Sequence, residues 1–207
     1  MQSVTFYDAE FLTAPGAPQR FWCGPHDPDP LTIQIGAVRL SLDGKYELSE
    51  PQSWYVIPKD RDGQVVPVDP LVTQLTGIDD TALAELGMPL DAALRKLDEF
   101  SQDDTLLAWG KDELLTLAAS LFVQAMSSPI PATRFRSAVP LLVDAGEPAS
   151  IVETLRSNTL CVHLGVQDPG RAHDAAGDAL SVATAFQYLL RSGRLTPAQI
   201  AGAVHGQ

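Results

Sequence analysis

The strand-like run at residues 4–7, Val-Thr-Phe-Tyr, is followed by two acidic residues, Asp8 and Glu10. β-Branched and aromatic residues predict a strand here. Residues two apart on a strand point to the same face of the sheet, so the two carboxylates would lie side by side. They would repel each other unless a cation lay between them. The run therefore allows two interpretations: a cation site, or a strand that ends by Asp8 and leaves both acids in solvent.

The order of the predicted elements indicates an α/β fold. A second strand is predicted at residues 31–42 and a third in the segment 46–58, broken or ended near Pro51. These first three strands would form an antiparallel meander. Later segments show helical spacing of apolar residues, interrupted by a short buried strand. We predict that strand at 105–109, and helices starting at 69, within 88–100, 111–126, 137–146, 150–166 and 173–193, and at 196.

Length and composition limit the classes of protein that fit. The 207 residues suit a single domain spanning 1–207, and 45% hydrophobic residues suffice for a core. We expect no membrane association, since no apolar run approaches the ~20 residues of a membrane span. With two cysteines and no recognisable signal peptide, we expect a cytoplasmic protein. The net charge of −12 argues against nonspecific binding to long duplex DNA.

Further acids flank apolar segments later in the chain. Asp112 and Glu113 follow the predicted strand at 105–109, and Asp178 lies five residues after His173. Each has an ordinary explanation, such as an acid that stabilises a helix N-terminus. Together they could converge at one edge of the sheet. Oxygen ligands without a Cys/His cluster suit Mg²⁺ or Mn²⁺ better than zinc.

Four short motifs in this order resemble those of the DEDDh (DnaQ-like) 3′–5′ exonucleases. They are Asp8-x-Glu10, "IQIGAV" at 33–38, "PLVTQLTGI" at 70–78, and "HDAAGD" at 173–178. The resemblance covers essentially the whole chain. It implies a ribonuclease H-like mixed sheet, with parallel strands after the antiparallel meander and helices on its flanks.

The resemblance also implies a mechanism and its residues. Two divalent cations, Mg²⁺ or Mn²⁺, would be bound by Asp8, Glu10, Asp178 and a middle acid, with His173 as the general base. The middle acid is Asp112 by residue type, whereas Glu113 has the usual spacing from the preceding Trp-Gly pair. On residue type, we predict that Asp112 is the middle acid.

The implied substrate is a single-stranded 3′ end of DNA or RNA, cleaved to nucleoside 5′-monophosphates. Phe11 and Leu12 would contact the terminal base, although core packing explains them as well. Family members often form homodimers, so a homodimer is possible. The proline-rich segment 12–30 would form a long loop that is functional or mobile. We expect the remaining histidines, His26, His163 and His205, to be structural or solvent-facing.

Two other functions stay open. The chain could be a catalytically inactive interaction domain that keeps the fold. It could also be a two-metal phosphodiesterase that acts on nucleotides or very short oligonucleotides, for which the −12 charge is less of an obstacle.

Overall fold

The computed structural model describes residues 2–202. The fold contains a five-stranded sheet with the strand order β3-β2-β1-β4-β5. β1 pairs antiparallel with β2, and β2 pairs antiparallel with β3. β4 runs parallel to both β1 and β5. The strands are β1 (Ser3–Phe11), β2 (Thr32–Ser41), β3 (Gln52–Tyr55), β4 (Leu106–Ala108) and β5 (Phe135–Ser137). The predicted mixed sheet, antiparallel first and then parallel, is confirmed.

Helices cover both faces of this sheet. Within residues 2–202 they are α1 (Pro70–Thr76), α2 (Asp80–Leu86), α3 (Leu90–Ser101), α4 (Asp112–Val123), α5 (Val139–Asp144), α6 (Ala149–Val152), α7 (Ser157–His163), α8 (Ala175–Arg191) and α9 (Pro197–Gly202). None of the helices in this described range combines the length and apolar character that a membrane crossing requires.

The alternation of side chains along β1 divides the core into two layers. Phe6 belongs to the apolar layer under α7 and α8, where its ring lies 5.0 Å from that of Phe186. Tyr7 points to the opposite layer, under α3 and α4, and packs edge-on against Phe135. Because residues two apart share a face, Asp8 and Glu10 continue the row of Phe6 on the α8 side.

The sequence-based prediction and the structure differ at the short strands β3 and β5. β5 was not predicted, because three residues are too few to show an alternation. The third strand is shorter than its predicted segment and begins after Pro51, which has no N–H for the ladder.

Candidate active site

Three carboxylates meet at the carboxyl end of β1. Asp8 and Glu10 come from this strand and Asp178 from the first turn of α8. One oxygen of each carboxylate lies within 4.8 Å of an oxygen of the other two. The interpretation in which β1 ends by Asp8 does not hold, since β1 continues to Phe11. We call Asp8, Glu10 and Asp178 the acid cluster.

Gly36 on β2 allows α8 to approach the acid cluster. It pairs with Asp8 across the β1–β2 ladder. A Cβ at this position would lie 2.1 Å from the backbone carbon of Ala175 and from the nitrogen of Ala176. Only glycine fits so close a crossing. The glycine of "IQIGAV" thus brings the start of α8, with Asp178, onto the end of β1.

A tight turn before α8 places His173 and orients Asp178. The carboxylate of Asp178 accepts hydrogen bonds from the backbone N–H of His173 at 2.9 Å and from the Ser157 hydroxyl at 3.2 Å. His173 is exposed and has φ of +59°, which is uncommon for a residue with a side chain. A Cβ on Gly177 would lie 2.5 Å from the carbonyl oxygen of Arg171, so this glycine lets the turn pack on the helix.

Gln34 anchors the same turn to β2, a role that sequence reasoning missed. Its side chain is 2% exposed and pairs in register with Glu10. The amide nitrogen donates to the Asp174 carboxylate at 2.9 Å, and the amide oxygen accepts the N–H of Ala175 at 3.0 Å. Asp174 is the N-cap of α8. The available signal was a glutamine between isoleucines in an otherwise apolar strand.

Glu113, rather than Asp112, lies beside Asp8. Glu113 is 6% exposed, whereas Asp112 is an exposed residue at the start of α4. Among neighbouring charges, Glu113 contributes most to the pKa of Asp8. Successive helical residues point about 100° apart, so only one of the two can face the sheet. The packing is the reverse of our preference by residue type: it favours Glu113 and leaves Asp112 in solvent.

Burial and mutual repulsion raise the pKa values of these carboxylates in the absence of a cation. Burial raises the pKa of Asp8 well above its usual range, and the charges of Glu113 and Glu10 raise it further. Burial, followed by the charge of Asp178, raises the pKa of Glu10 to about 7. Burial, followed by the charge of Asp112, raises the pKa of Glu113 to about 8. No ion pair among residues 2–202 includes any of these acids.

These carboxylates fit divalent cations. They provide hard oxygen donors, and the Oε2 atom of Glu113 is buried without a hydrogen-bond partner among the residues described. A cation would compensate the repulsion that raises the pKa values of Asp8 and Glu10. Asp8, Glu10, Asp178 and Glu113 could therefore hold metal.

The predicted base contacts and the remaining histidines differ in their exposure to solvent. Phe11 is half-buried, with its ring 5.7 Å from that of Trp22. Leu12 is 2% exposed in an apolar cluster, where it has little surface to offer a substrate. His26 is exposed, and His163 pairs with Glu147 at 2.7 Å. His205 lies outside the described residues.

Solved nucleases share this fold. The nuclease domain of 3′hExo, a DEDDh family member bound to rAMP, matches with a TM-score of 0.70 at 17% identity over 93% of both chains. A 3′-exonuclease that recognises the 3′ end of a histone mRNA stem-loop matches with a TM-score of 0.72 at 17% identity, over 93% of this chain and 83% of that one. E. coli Exonuclease I in complex with a dA16 oligonucleotide has a TM-score of 0.61 at 15% identity, over 97% of this chain and 42% of that one.

The chain matches no protein-family model and no curated protein. The structural matches confirm the ribonuclease H-like, DEDDh-exonuclease fold that the sequence resemblance implied. At these identities the matches establish the fold alone.

Proposed function

We propose that this protein is a metal-dependent 3′–5′ exonuclease that hydrolyses nucleic-acid phosphodiester bonds and releases nucleoside 5′-monophosphates. The observation that carries the proposal is the acid cluster, whose carboxylate oxygens lie within 4.8 Å of one another. It occupies the carboxyl end of β1 in a fold shared with exonucleases.

Four carboxylates would hold two divalent cations, Mg²⁺ or Mn²⁺. They are the acid cluster and Glu113, which replaces Asp112 as the middle acid because it is buried beside Asp8. When bound, such ions activate a water and stabilise the charge on the leaving oxygen. Cation binding would relieve the repulsion among the carboxylates and release the protons that their raised pKa values retain.

His173 would be the general base that accepts a proton from the attacking water. Its exposed side chain is accessible to a substrate. Its backbone N–H donates to the Asp178 carboxylate at 2.9 Å, which keeps the backbone of His173 beside the acid cluster. A histidine is suited to proton transfer near neutral pH.

The substrate in this proposal is a single-stranded 3′ end, with Phe11 as a contact for the terminal base. We leave Leu12 out because it is 2% exposed. The −12 charge favours one variation, a phosphodiesterase that prefers very short oligonucleotides.

A panel of 5′-labelled DNA and RNA oligomers of increasing length tests the proposal. With Mg²⁺ or Mn²⁺ we expect a ladder that shortens from the 3′ end, and no products with chelator. Activity confined to the shortest oligomers would favour the variation. Metal binding without hydrolysis of any oligomer would contradict both and favour an inactive interaction domain.

Two variants control for contaminating nuclease. Asp8→Asn removes a proposed ligand. Asp103→Asn removes an exposed acid near the other end of β1, next to the start of β4. The assignment requires that the first variant is inactive and the second is fully active.

A further inference from the structure

The segment that leads to His173, residues 165–174, contains no helix or strand, yet it is attached along α8. The carboxylate of Asp168 accepts hydrogen bonds from the Ser181 hydroxyl at 2.5 Å and from the backbone N–H of Gly170 at 2.9 Å. Ser181 lies in the second turn of α8 and is 2% exposed. We call the hydrogen bond between Asp168 and Ser181 the brace.

Between the brace and His173 the segment lies directly on the backbone of α8. A Cβ on Gly170 would lie 2.2 Å from the carbonyl oxygen of Gly177, and a Cβ on Gly177 would lie 2.7 Å from the backbone nitrogen of Arg171. Glycine at both positions permits this close approach. Pro169 fixes one φ angle of the turn, which reduces the number of conformations open to the segment.

His173 lies between two attachments of this segment. Its φ of +59° is strained, and such strain persists only where the surroundings enforce it. The hydrogen bond from its N–H to Asp178 is of the same order as the cost of that strain, so further attachments are needed. On the side of α8, Gln34 bonds to Asp174. On the other side, the first side-chain attachment before His173 is the brace.

The carboxylate of Asp168 could act through its hydrogen bonds or through its charge. It is half-buried and forms no ion pair within residues 2–202. Burial, above all, raises the pKa of Asp178, and the charge of Asp168 also raises it. A charge at this place adds to the repulsion around the acid cluster. The contacts favour the hydrogen-bonding role, because one oxygen, Oδ1, accepts from both Ser181 and Gly170.

We propose that Asp168 and Ser181 are positioning residues, whose hydrogen bond fixes the segment on α8 and so holds the backbone of His173 beside the acid cluster. This inference rests on the proposed function, in which His173 is the general base. The two residues act through the backbone of the segment rather than on the substrate. A displacement of about 1 Å at a reacting group can lower the rate on the order of 100-fold, so catalysis would register the loss of the brace.

Amide hydrogen exchange, resolved by NMR in the presence of Mg²⁺, tests the brace without reference to activity. We expect Asp168→Ala and Ser181→Ala each to speed exchange of the His173 N–H about tenfold, because a lost hydrogen bond favours local opening by about that factor. The double variant should exchange no faster than Asp168→Ala alone, since both changes remove the same bond. The matched control is Ser3→Ala, which removes a 2.7 Å serine–carboxylate bond to Asp104 and should leave His173 unchanged. Unchanged exchange in both brace variants would overturn the inference.

Hydrolysis of a labelled oligomer separates positioning from the alternatives. We expect kcat of both alanine variants to fall about 10–100-fold. KM and the Mg²⁺ concentration for half-maximal rate should stay within about twofold of the parent values. Asp168→Asn keeps an acceptor oxygen, so its kcat should stay within about threefold of the parent value. A loss in Asp168→Asn equal to that in Asp168→Ala would overturn the inference, because the charge would then be what matters. A higher Mg²⁺ requirement in Ser181→Ala would also overturn it, because the residue would then act on the metal site.

The two measurements distinguish failure of this inference from failure of the proposed function. If the parent chain hydrolyses oligomers, and both exchange at His173 and kcat respond to the alanine variants, both stand. If the parent chain hydrolyses no oligomer but exchange at His173 responds, the exonuclease proposal fails and the attachment of the segment by the brace stands. If the parent chain and Asp168→Ala hydrolyse oligomers equally well and exchange at His173 is unchanged, the brace fails alone.

Discussion

A carboxylate lies at each end of β1, and the two are in opposite electrostatic environments: Asp104, from the segment before β4, at the start, and Asp8 at the end. At its start, Asp104 accepts hydrogen bonds from the hydroxyls of Ser3 and Thr5, at 2.7 and 2.9 Å, and from the guanidinium of Arg39 at 3.0 Å. At its end, Asp8 faces other carboxylates, whose charges raise its pKa. The two ends of one strand therefore adjoin a compensated acid, Asp104 from the segment before β4, and an uncompensated one, Asp8.

Under the proposed function, this difference separates an acid that stabilises the fold from acids that bind metal. A buried carboxylate with a cation and hydroxyl donors stabilises the structure or costs little. A group of carboxylates without a cation lowers stability, and proteins keep such costs mainly at functional sites. The start of β1 should thus respond to mutation through stability, and its end through activity.

The largest expected effect is on activity at the end of β1. We expect Asp8→Asn to lower kcat about 10³-fold or more, because it removes a proposed metal ligand. The fold should be retained, since the change relieves repulsion. Rates on a labelled oligomer and circular dichroism spectra measure the two effects. Turnover near that of the parent chain would contradict the role of the acid cluster.

The next effect separates the two acids at the start of α4. We expect Glu113→Gln to lower kcat about 100-fold, because Glu113 is buried beside Asp8. The matched variant Asp112→Asn should change kcat by no more than about threefold, because Asp112 is exposed. Steady-state rates at saturating Mg²⁺ decide the order. The reverse order would restore Asp112 as the middle acid.

The sequence alone predicted those features that depend on the spacing of residues within one strand or one helix. The side-chain period of two predicts that Asp8 and Glu10 share a face, and β1 confirms it. The spacing of apolar residues located α8, which begins two residues after His173.

The sequence did not predict those features of the site that depend on how two elements pack against each other. Choosing between Asp112 and Glu113 requires the rotation of α4 on the sheet, which one helical pattern does not fix. The role of Gln34 depends on an N-cap 140 residues away in the chain. The defined structure of loop 12–30 depends on the pairing of Arg20 with Asp27. The sequence does not predict this pairing, because it offers many other combinations of acidic and basic residues.

The third effect is on stability at the start of β1. We expect Asp104→Asn to lower the free energy of unfolding by about 2 kcal/mol, because it removes the charge partner of a mostly buried Arg39. For a chain of this size that is a fall in Tm of about 4–8 °C. Differential scanning calorimetry measures it. Below its unfolding transition, Asp104→Asn should hydrolyse oligomers at the rate of the parent chain. A loss of activity as large as that of Asp8→Asn would contradict the different roles given to the two ends of β1.

The last effect is the pH dependence of stability in the metal-free protein, which is spread over several pH units. The raised pKa values, about 7 for Glu10 and about 8 for Glu113, mean that the folded chain holds protons that the unfolded chain has released. Their contribution to stability is complete below the unfolded pKa of about 4.3 and is lost as pH rises through the folded values. We therefore expect Tm in chelator to fall between about pH 4.5 and 8, by about 2–4 °C for each 1 kcal/mol lost. Mg²⁺ should raise Tm more at the higher pH, because it replaces the released protons.

Glu113→Gln should flatten the dependence of Tm on pH, whereas Asp104→Asn should lower Tm at every pH without changing that dependence. A profile that rises with pH in chelator, or a slope unaffected by Glu113→Gln, would show that the end of β1 is compensated as its start is.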